Sequence, residues 1–365
     1  MKRPYIDMWS WLNEFAQRAY AMNDQPRIRL MTIHEIAFNQ RETNPQQALG
    51  LCLEGLTQAE HLNELWLAMT FECRVVEMMM LSLARNEEAV DLATKLVTKV
   101  SQQAYINFPM RAWAFINLII AYFELDALSY SDEIQAMIET LETRIPIDLD
   151  IHQRLYYFRA RLWLGLREDG KAMTDALIHM DMSIQNDFRA SYGYELLTHL
   201  NYLRHDDRNA LDYAHLTEDK SLVSDHKVAL TNSYYWQALF LALQGQTEAA
   251  HRLFVLGVAA AQSLNLPHDL SLLHGKCRYY EVKGDYEASL AVWDDQIRSM
   301  DQNTSKRQSY FYVFLHRCFV LRQLGRLTEA DIVQTRQAAL RLRKPDKYLP
   351  YIDTLHDGKL EIPRY

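Results

Sequence analysis

A short pattern that returns about every 40 residues constrains this chain more than any other feature of its sequence. Near the C-terminus, Gly245, Gly284 and Gly325 lie 39 and 41 residues apart, and each is followed five positions later by a small residue that begins an amphipathic run. Weaker copies extend the pattern toward the N-terminus. The small residues of all the copies are Ala48, Ala89, Ala136, Ala172, Ala210, Ala250, Ser289 and Ala330. The chain therefore contains about eight units of one supersecondary structure.

Each unit is predicted to be a pair of antiparallel helices. Apolar residues recur at intervals of three and four, as in Leu92, Leu96, Val97 and Val100, and no segment sustains the alternation of a strand. The chain has only 11 glycines, and the prolines spread along it from Pro26 to Pro345 interrupt no predicted helix. A helix pair leaves one apolar face uncovered until the next pair stacks on it. The predicted fold is therefore all-α, an α-solenoid.

The three C-terminal copies resemble the tetratricopeptide repeat (TPR) family in its longer variety, with about 40 residues per unit. The family places a large apolar residue eleven positions before the glycine between the two helices and a small residue seven positions before it. Those positions hold Tyr234, Leu273 and Phe314, and then Ala238, Cys277 and Cys318. The resemblance covers residues 26–342 and implies a right-handed superhelix of about eight antiparallel pairs, in which Cys277 and Cys318 are core residues.

The predicted organisation has three parts. Residues 1–25 form an N-terminal capping helix with Trp9, Leu12, Phe15 and Ala19 on one stripe, residues 26–342 form the solenoid, and residues 343–365 form a C-terminal cap and tail. A length of 365 residues suggests two domains by size alone. The repeat favours one continuous stack instead.

Charge and cysteine usage limit the partners and the compartment. The formal net charge is −8, which argues against direct nucleic acid binding. No apolar run is long enough to span a membrane, and four widely spaced cysteines favour a reducing, cytoplasmic setting. A basic cluster near the C-terminus is either a solvated helix face or a surface for an acidic partner; it consists of Arg336, Arg341, Arg343, Lys344 and Lys347.

Motifs that carry catalysis are incomplete in this sequence. The segment from Gly165 to Lys171 matches the spacing GxxxxGK of a phosphate-binding loop, but Ala172 stands where a hydroxyl is needed, and the segment follows a predicted helix. His34 and Glu35 begin the zinc motif HExxH, yet Phe38 replaces the second histidine. We therefore expect no enzymatic activity, no metal and no cofactor.

The resemblance implies where a partner binds. In the TPR family, side chains ten, six and three positions before the glycine line the concave groove, and the same register extends to the weaker units. The predicted groove residues are Arg74, Tyr157, Arg161, Glu195, His199, Tyr202, Tyr235, His274, Arg278, Phe319 and Arg322. Because arginine pairs with carboxylates and tyrosine is enriched at binding hot spots, an acidic or C-terminal peptide segment is the expected ligand.

Three functions remain open from the sequence. The first is a scaffold or adaptor that binds a peptide segment of a partner protein in its groove. The second is a peptide- or ligand-sensing receptor similar to bacterial TPR regulators, although only about 25 residues precede the first repeat, too few for the usual DNA-binding domain. The third is a helical subunit of a larger complex, which exposed aromatic residues on the second helices would favour.

Overall fold

The computed structural model describes residues 7–41, 44–83, 85–264, 270–300 and 308–357, and within these ranges the chain forms helices and no strand. Successive helices pack against one another, which confirms the predicted all-α solenoid class. The contacts divide the chain into two compact units. Unit 1 comprises Met1–Leu125 and Asp132–His152, and unit 2 comprises Asp126–Ser131 and Gln153–Tyr365. The boundaries of these units fall inside the predicted solenoid and not at residues 25 and 342.

The helices are short and closely connected. Unit 1 holds α1 (Met8–Ala21), α2 (Gln25–Gln40), α3 (Pro45–His61), α4 (Leu65–Glu77), α5 (Asn86–Val100), and nearly all of α6 (Arg111–Asp126) and α7 (Ser131–Arg144). Most of α8 (Leu149–Gly165) belongs to unit 2, followed by α9 (Asp169–Ser183), α10 (Asp187–Leu203), α11 (Asp207–Ser224), α12 (Lys227–Leu243), α13 (Thr247–Ser263), α14 (Leu270–Val282), α15 (Tyr286–Ser299), α16 (Gln308–Gln323), α17 (Glu329–Leu340) and α18 (Leu349–Asp357).

One buried position defines the repeat in the structure. From α3 onward, the fourth residue of every odd-numbered helix up to α17 is at most 6% exposed. These residues are Ala48, Ala89, Ile134, Ala172, Ala210, Ala250, Ser289 and Ile332. They are spaced 38 to 45 residues apart, so the described ranges contain the eight helix pairs that the sequence predicts.

In two units the sequence analysis assigned the wrong residue to this buried position. Ala136 and Ala330 are exposed, and Ile134 and Ile332 take the buried place. In the last pair, α17 begins four residues after Gly325, whereas α13 begins two residues after Gly245. Those extra residues place Thr328 and Asp331 in a capping box, which shifts the start of α17 by two positions.

The turns within four of the helix pairs share a left-handed residue two positions before the second helix. In pairs α12/α13 and α14/α15 this residue is Gly245 or Gly284, but in α8/α9 and α10/α11 it is Arg167 or His205, with φ of +63° and +58°. The same backbone hydrogen bond closes each turn, as from Asp206 N to Asn201 O (3.0 Å). The turn therefore has the same geometry in the pairs that lack the glycine of the sequence pattern.

Replacing His205 with glycine is expected to stabilise the protein. A side chain in the left-handed region is strained, and glycine relieves that strain at some cost in chain entropy, for a net gain of about 0.5–1 kcal/mol. Thermal unfolding of the full chain should show a higher Tm for His205→Gly and no increase for the control His205→Ala. A Tm for His205→Gly at or below that of the wild type would contradict the strain.

Two residues of the basic C-terminal cluster, Arg343 and Lys347, make contacts within unit 2. Lys347 Nζ donates to Leu128 O (2.8 Å) and to Ser131 Oγ (2.8 Å), and the guanidinium of Arg343 lies 4.4 Å from the ring centroid of Tyr130. The Tyr348 hydroxyl donates to the buried Asp126 carboxylate. The segment 126–131 is therefore held by the C-terminal end of unit 2, and Lys347 and Arg343 serve this packing.

One residue of the predicted stripe on the N-terminal helix is not buried, and two further residues are. In α1 the buried residues are Met8, Trp11, Leu12, Phe15 and Ala19, whereas Trp9 is 51% exposed. Trp9 still makes an edge contact with Phe38 of α2, at 5.5 Å between ring centroids. Trp11 therefore takes the buried place that the sequence analysis gave to Trp9.

Candidate functional site

The even-numbered helices of unit 2 bring several predicted groove residues together, and Arg278 of α14 lies at the centre. Its Nη2 donates to the Tyr202 hydroxyl of α10 (2.7 Å), and its Nη1 donates to Glu281 Oε2 (2.6 Å). Ser289 of α15 donates to the other oxygen of Glu281 (3.0 Å). Since the side chain of Arg278 keeps 22% of its surface exposed, this cluster is reachable from solvent.

Histidines lie beside this centre. The rings of His274 on α14 and His316 on α16 are 5.1 Å apart, and His316 stacks on Trp293 at 4.9 Å. His199 of α10 packs against Trp236 of α12 at 5.6 Å. His274 and His199 are partly exposed, while His316 is buried.

A second group of predicted residues lies on α8 and α10. The guanidinium of Arg161 lies 5.7 Å from the centroid of the Tyr157 ring, which in turn contacts Tyr192 at 5.5 Å. Glu195 accepts a hydrogen bond from Asn232 Nδ2 of α12 (2.7 Å). Tyr157, Arg161 and Glu195 are each partly exposed, as a ligand-contacting residue must be.

Burial and positive neighbours control the electrostatics of the centre. Burial, followed by the charge of Arg278, lowers the pKa of His316 to about 3, and burial with the nearby His316 and Arg278 lowers the pKa of His274 well below its usual value. Burial opposes the charge of Arg278, but Tyr202 and Glu281 outweigh it and raise its pKa. At neutral pH His274 and His316 are therefore neutral beside the charged guanidinium of Arg278.

Two predicted groove residues lie elsewhere. Tyr235 is 1% exposed and packs in the core, where Gly257 of α13 is so near that a Cβ there would meet the Tyr235 ring at 2.8 Å. Arg74 of unit 1 is 4% exposed and pairs with Glu77 (2.6 Å). Neither side chain offers a surface to a ligand in this structure.

The remaining predictions lie on α16. Phe319 is half-buried and packs against the apolar clusters around Leu315 and Trp293, and Arg322 is partly buried. Phe319 therefore serves helix packing as well as any exposed surface.

Sequence reasoning missed Trp236, Tyr192 and His316. Trp236 follows Tyr235 directly, and it is Trp236 that meets His199 and Tyr202, with the Tyr202 ring at 5.3 Å. One residue corresponds to a rotation of 100° about the helix axis. The register taken from Gly245 therefore selected Tyr235, which lies in the core, and not the adjacent Trp236. The signal that could have found Trp236 is its aromatic character beside a residue already chosen.

The incomplete catalytic motifs form ordinary helix contacts. Gly165 ends α8, and Lys171 in α9 lies 4.7 Å from the centroid of the Trp163 ring and 3.5 Å from Glu168. Burial, followed by the charge of Arg74, lowers the pKa of His34 to about 3. Among the residues that the structure describes, no three metal-ligating side chains come together, and no helix is long and apolar enough to cross a membrane.

Comparisons with known proteins leave the family open. No family model matches the sequence, and no curated protein matches it. Among solved structures, the crystal structure of BtubC (BKLC) from P. vanneervenii is similar over 58% of this chain and 90% of that chain, with 15% sequence identity and a TM-score of 0.45. We draw nothing about activity from a similarity of this size.

Acidification is expected to destabilise the protein through His316. An unfolded histidine takes up a proton near pH 6.5, but the folded His316 does so only near pH 3, so between these values the unfolded state binds more protons. For this group the free energy of unfolding should fall by about 0.7 kcal/mol per pH unit at pH 6.5, and the slope should approach about 1.4 kcal/mol per pH unit by pH 5. The measurement is the Tm of wild type and His316→Phe between pH 6.5 and 5, because phenylalanine keeps the stack on Trp293.

The variant should lose less stability on acidification than the wild type. At pH 8 the imidazole is neutral in both states, so the comparison there isolates the packing effect of the substitution. Parallel slopes of Tm against pH for the two proteins would contradict the assignment of the acid response to His316.

Proposed function

We propose that this protein is a non-enzymatic, cytoplasmic scaffold or adaptor of the long-repeat TPR type, and that unit 2 binds a peptide segment of a partner protein. The observation that carries the proposal is the cluster of partly exposed side chains from α10 and α14, in which Arg278 reaches Tyr202 across the intervening α12. His199 and His274 border that contact. Polar and aromatic groups from separate helices thus meet on one accessible surface, as in the binding sites of helical repeat proteins.

The chemistry of this surface favours an acidic segment. Glu281 and Tyr202 each accept one N–H of Arg278. A guanidinium has five N–H donors, so a peptide carboxylate can share Arg278 without breaking either bond. Arg161, in the second group of residues on α8 and α10, offers another positive charge within unit 2, and the nearby Tyr157 offers a rigid amphipathic ring.

The test is affinity capture from native lysate, with partners identified by mass spectrometry. Arg161→Glu reverses a charge on the proposed surface, and the matched control Arg252→Glu makes the same change on the exposed side of α13. A synthetic peptide from the captured partner then gives the Kd of each protein by fluorescence anisotropy. We expect at least a tenfold weaker Kd for Arg161→Glu and an unchanged Kd for Arg252→Glu.

Circular dichroism verifies that both variants fold. If the partner binds equally to both variants, either the proposed surface or the proposed acidic character of the bound segment is wrong. The unfolded wild type serves as the control for non-specific capture. If the folded wild type captures no partner beyond those that the unfolded protein also captures, the adaptor function itself is not supported.

A peptide-sensing receptor is the second candidate, favoured by the link from α10 to α14. A ligand that competes for Arg278 or Tyr202 would release this link and change the spacing of the helices on either side of α12. Small-angle scattering with and without the captured peptide distinguishes the two functions, because an adaptor keeps its radius of gyration and a receptor changes it. The third function, a subunit of a larger complex, gains no support from Trp293, which is fully buried.

A further inference from the structure

The N-terminal helix covers the part of unit 1 where the repeat pattern predicts a groove. Met8 Sδ lies 3.8 Å from Arg74 Nη2 on α4, and the Trp11 ring contacts Trp66 of α4 at 5.9 Å and Phe108, just before α6, at 6.5 Å. Trp9 of α1 contacts Phe38 of α2. The helix thus spans successive even-numbered helices, which in the repeat pattern carry the groove.

The contact is that of an amphipathic helix in an apolar groove. The buried residues of α1 are spaced at i, i+3, i+4, i+7 and i+11, which places them on one face. They are Met8, Trp11, Leu12, Phe15 and Ala19. The opposite face, with Glu14 and Arg18, is exposed. A helix of another protein with the same apolar spacing would fit the same surface.

The fit of α1 is incomplete at Arg74. The guanidinium is buried, with its carbon 5.6 Å from the Trp9 ring centroid and 4.9 Å from that of Phe38. Glu77 accepts from Nη1, but Nη2 faces only the thioether of Met8, and Nε finds no acceptor among the described residues. Sulfur is a weak acceptor, and an unfilled donor of a buried charged group costs free energy.

We propose that this groove of unit 1 binds an amphipathic helix of a partner protein in place of α1, and that the partner helix carries a carboxylate where α1 carries Met8. The carboxylate would accept the hydrogen bonds that Arg74 Nη2 and Nε lack, while apolar residues three, four and seven positions later fill the places of Trp11, Leu12 and Phe15. A second copy of this chain is the poorer occupant, because its α1 would again present Met8. The inference goes beyond the proposed function and does not depend on peptide binding in unit 2.

Displacement has to overcome a tethered competitor. Only Met22, Asn23 and Asp24 separate α1 from α2, so α1 is present at its groove at an effective concentration on the order of millimolar or higher. A free peptide with the sequence of α1 therefore loses to α1 itself at micromolar concentration. A helix with the carboxylate has an additional interaction that α1 lacks.

The experiment uses three acetylated, fluorescently labelled peptides and the full chain. The first has the sequence of residues 8–22, the second carries Met8→Glu, and the third carries Met8→Glu together with Leu12→Asp as a control without the apolar face. Fluorescence anisotropy measures their binding to a chain with Leu12→Ala and Phe15→Ala, which loosens α1 and leaves the groove intact. We expect the Met8→Glu peptide to bind at least tenfold more tightly than the first, and the third not to bind.

Adding Arg74→Met to the loosened chain separates recognition from helix propensity. A glutamate at the start of a helix stabilises that helix by itself, whatever it meets. If Arg74 reads the carboxylate, the tenfold preference disappears in the Arg74→Met chain while binding of the first peptide remains. A preference that survives this substitution, or equal binding of the first two peptides to the loosened chain, would overturn the proposal.

Hydrogen exchange on the wild-type chain keeps the proposal testable if the loosened chain does not fold. Met8→Glu peptide at about millimolar concentration, comparable to the effective concentration of the tethered α1, should speed exchange of the amides in α1 while those of α2 and α4 stay protected. Unchanged exchange in α1, with no binding detected by anisotropy, would also overturn it.

Discussion

The helix pairs that the structure describes share one buried position near the start of the second helix, and the packing of the two helices depends on it. A small residue there lets the backbones come together, so that the apolar faces on both sides are shared with the neighbouring pairs. In six pairs the residue is alanine or serine, as in Ala210 and Ser289. Ile134 and Ile332 show that a branched side chain also fits this position. The stacking and the inner surfaces of both units follow from this contact.

The fold was predictable because the dominant signals are local. The period of about 40 residues, the helical spacing of apolar residues and the small residue in each unit all act within one pair. The two missed positions, Ala136 and Ala330, fail for the same reason: the pattern was aligned on residue type, and the structure aligns on helix starts. Arg167 and His205 show the reverse case, since the turn keeps its left-handed geometry without the glycine that marks it in the sequence.

The candidate site was less predictable because it depends on relations between units. Repeat spacing predicted Arg278, His199, Tyr202 and His274 as groove residues, and the structure places them near one another. The sequence could not show that Arg278 contacts Tyr202 across α12. The apolar periodicity of one helix does not determine how neighbouring helices are arranged. At Tyr235 the predicted register is off by one residue, so the side chain lies in the core. At Arg74 the predicted surface is covered by α1, and only the tertiary structure reveals that contact.

The contact between the segment 126–131 and the C-terminal end of unit 2 has a consequence for synthesis. The hydrogen bond from Tyr348 to Asp126 joins residues 222 positions apart, in a fold whose other contacts are mostly local. At a translation rate of about 5–20 residues per second, Asp126 leaves the ribosome roughly 10–45 s before its partner. During that interval Leu128, an apolar side chain that ends in the core, has no docking site. The newly made chain must therefore protect this segment, by its own collapse or with a chaperone, until the last helices emerge.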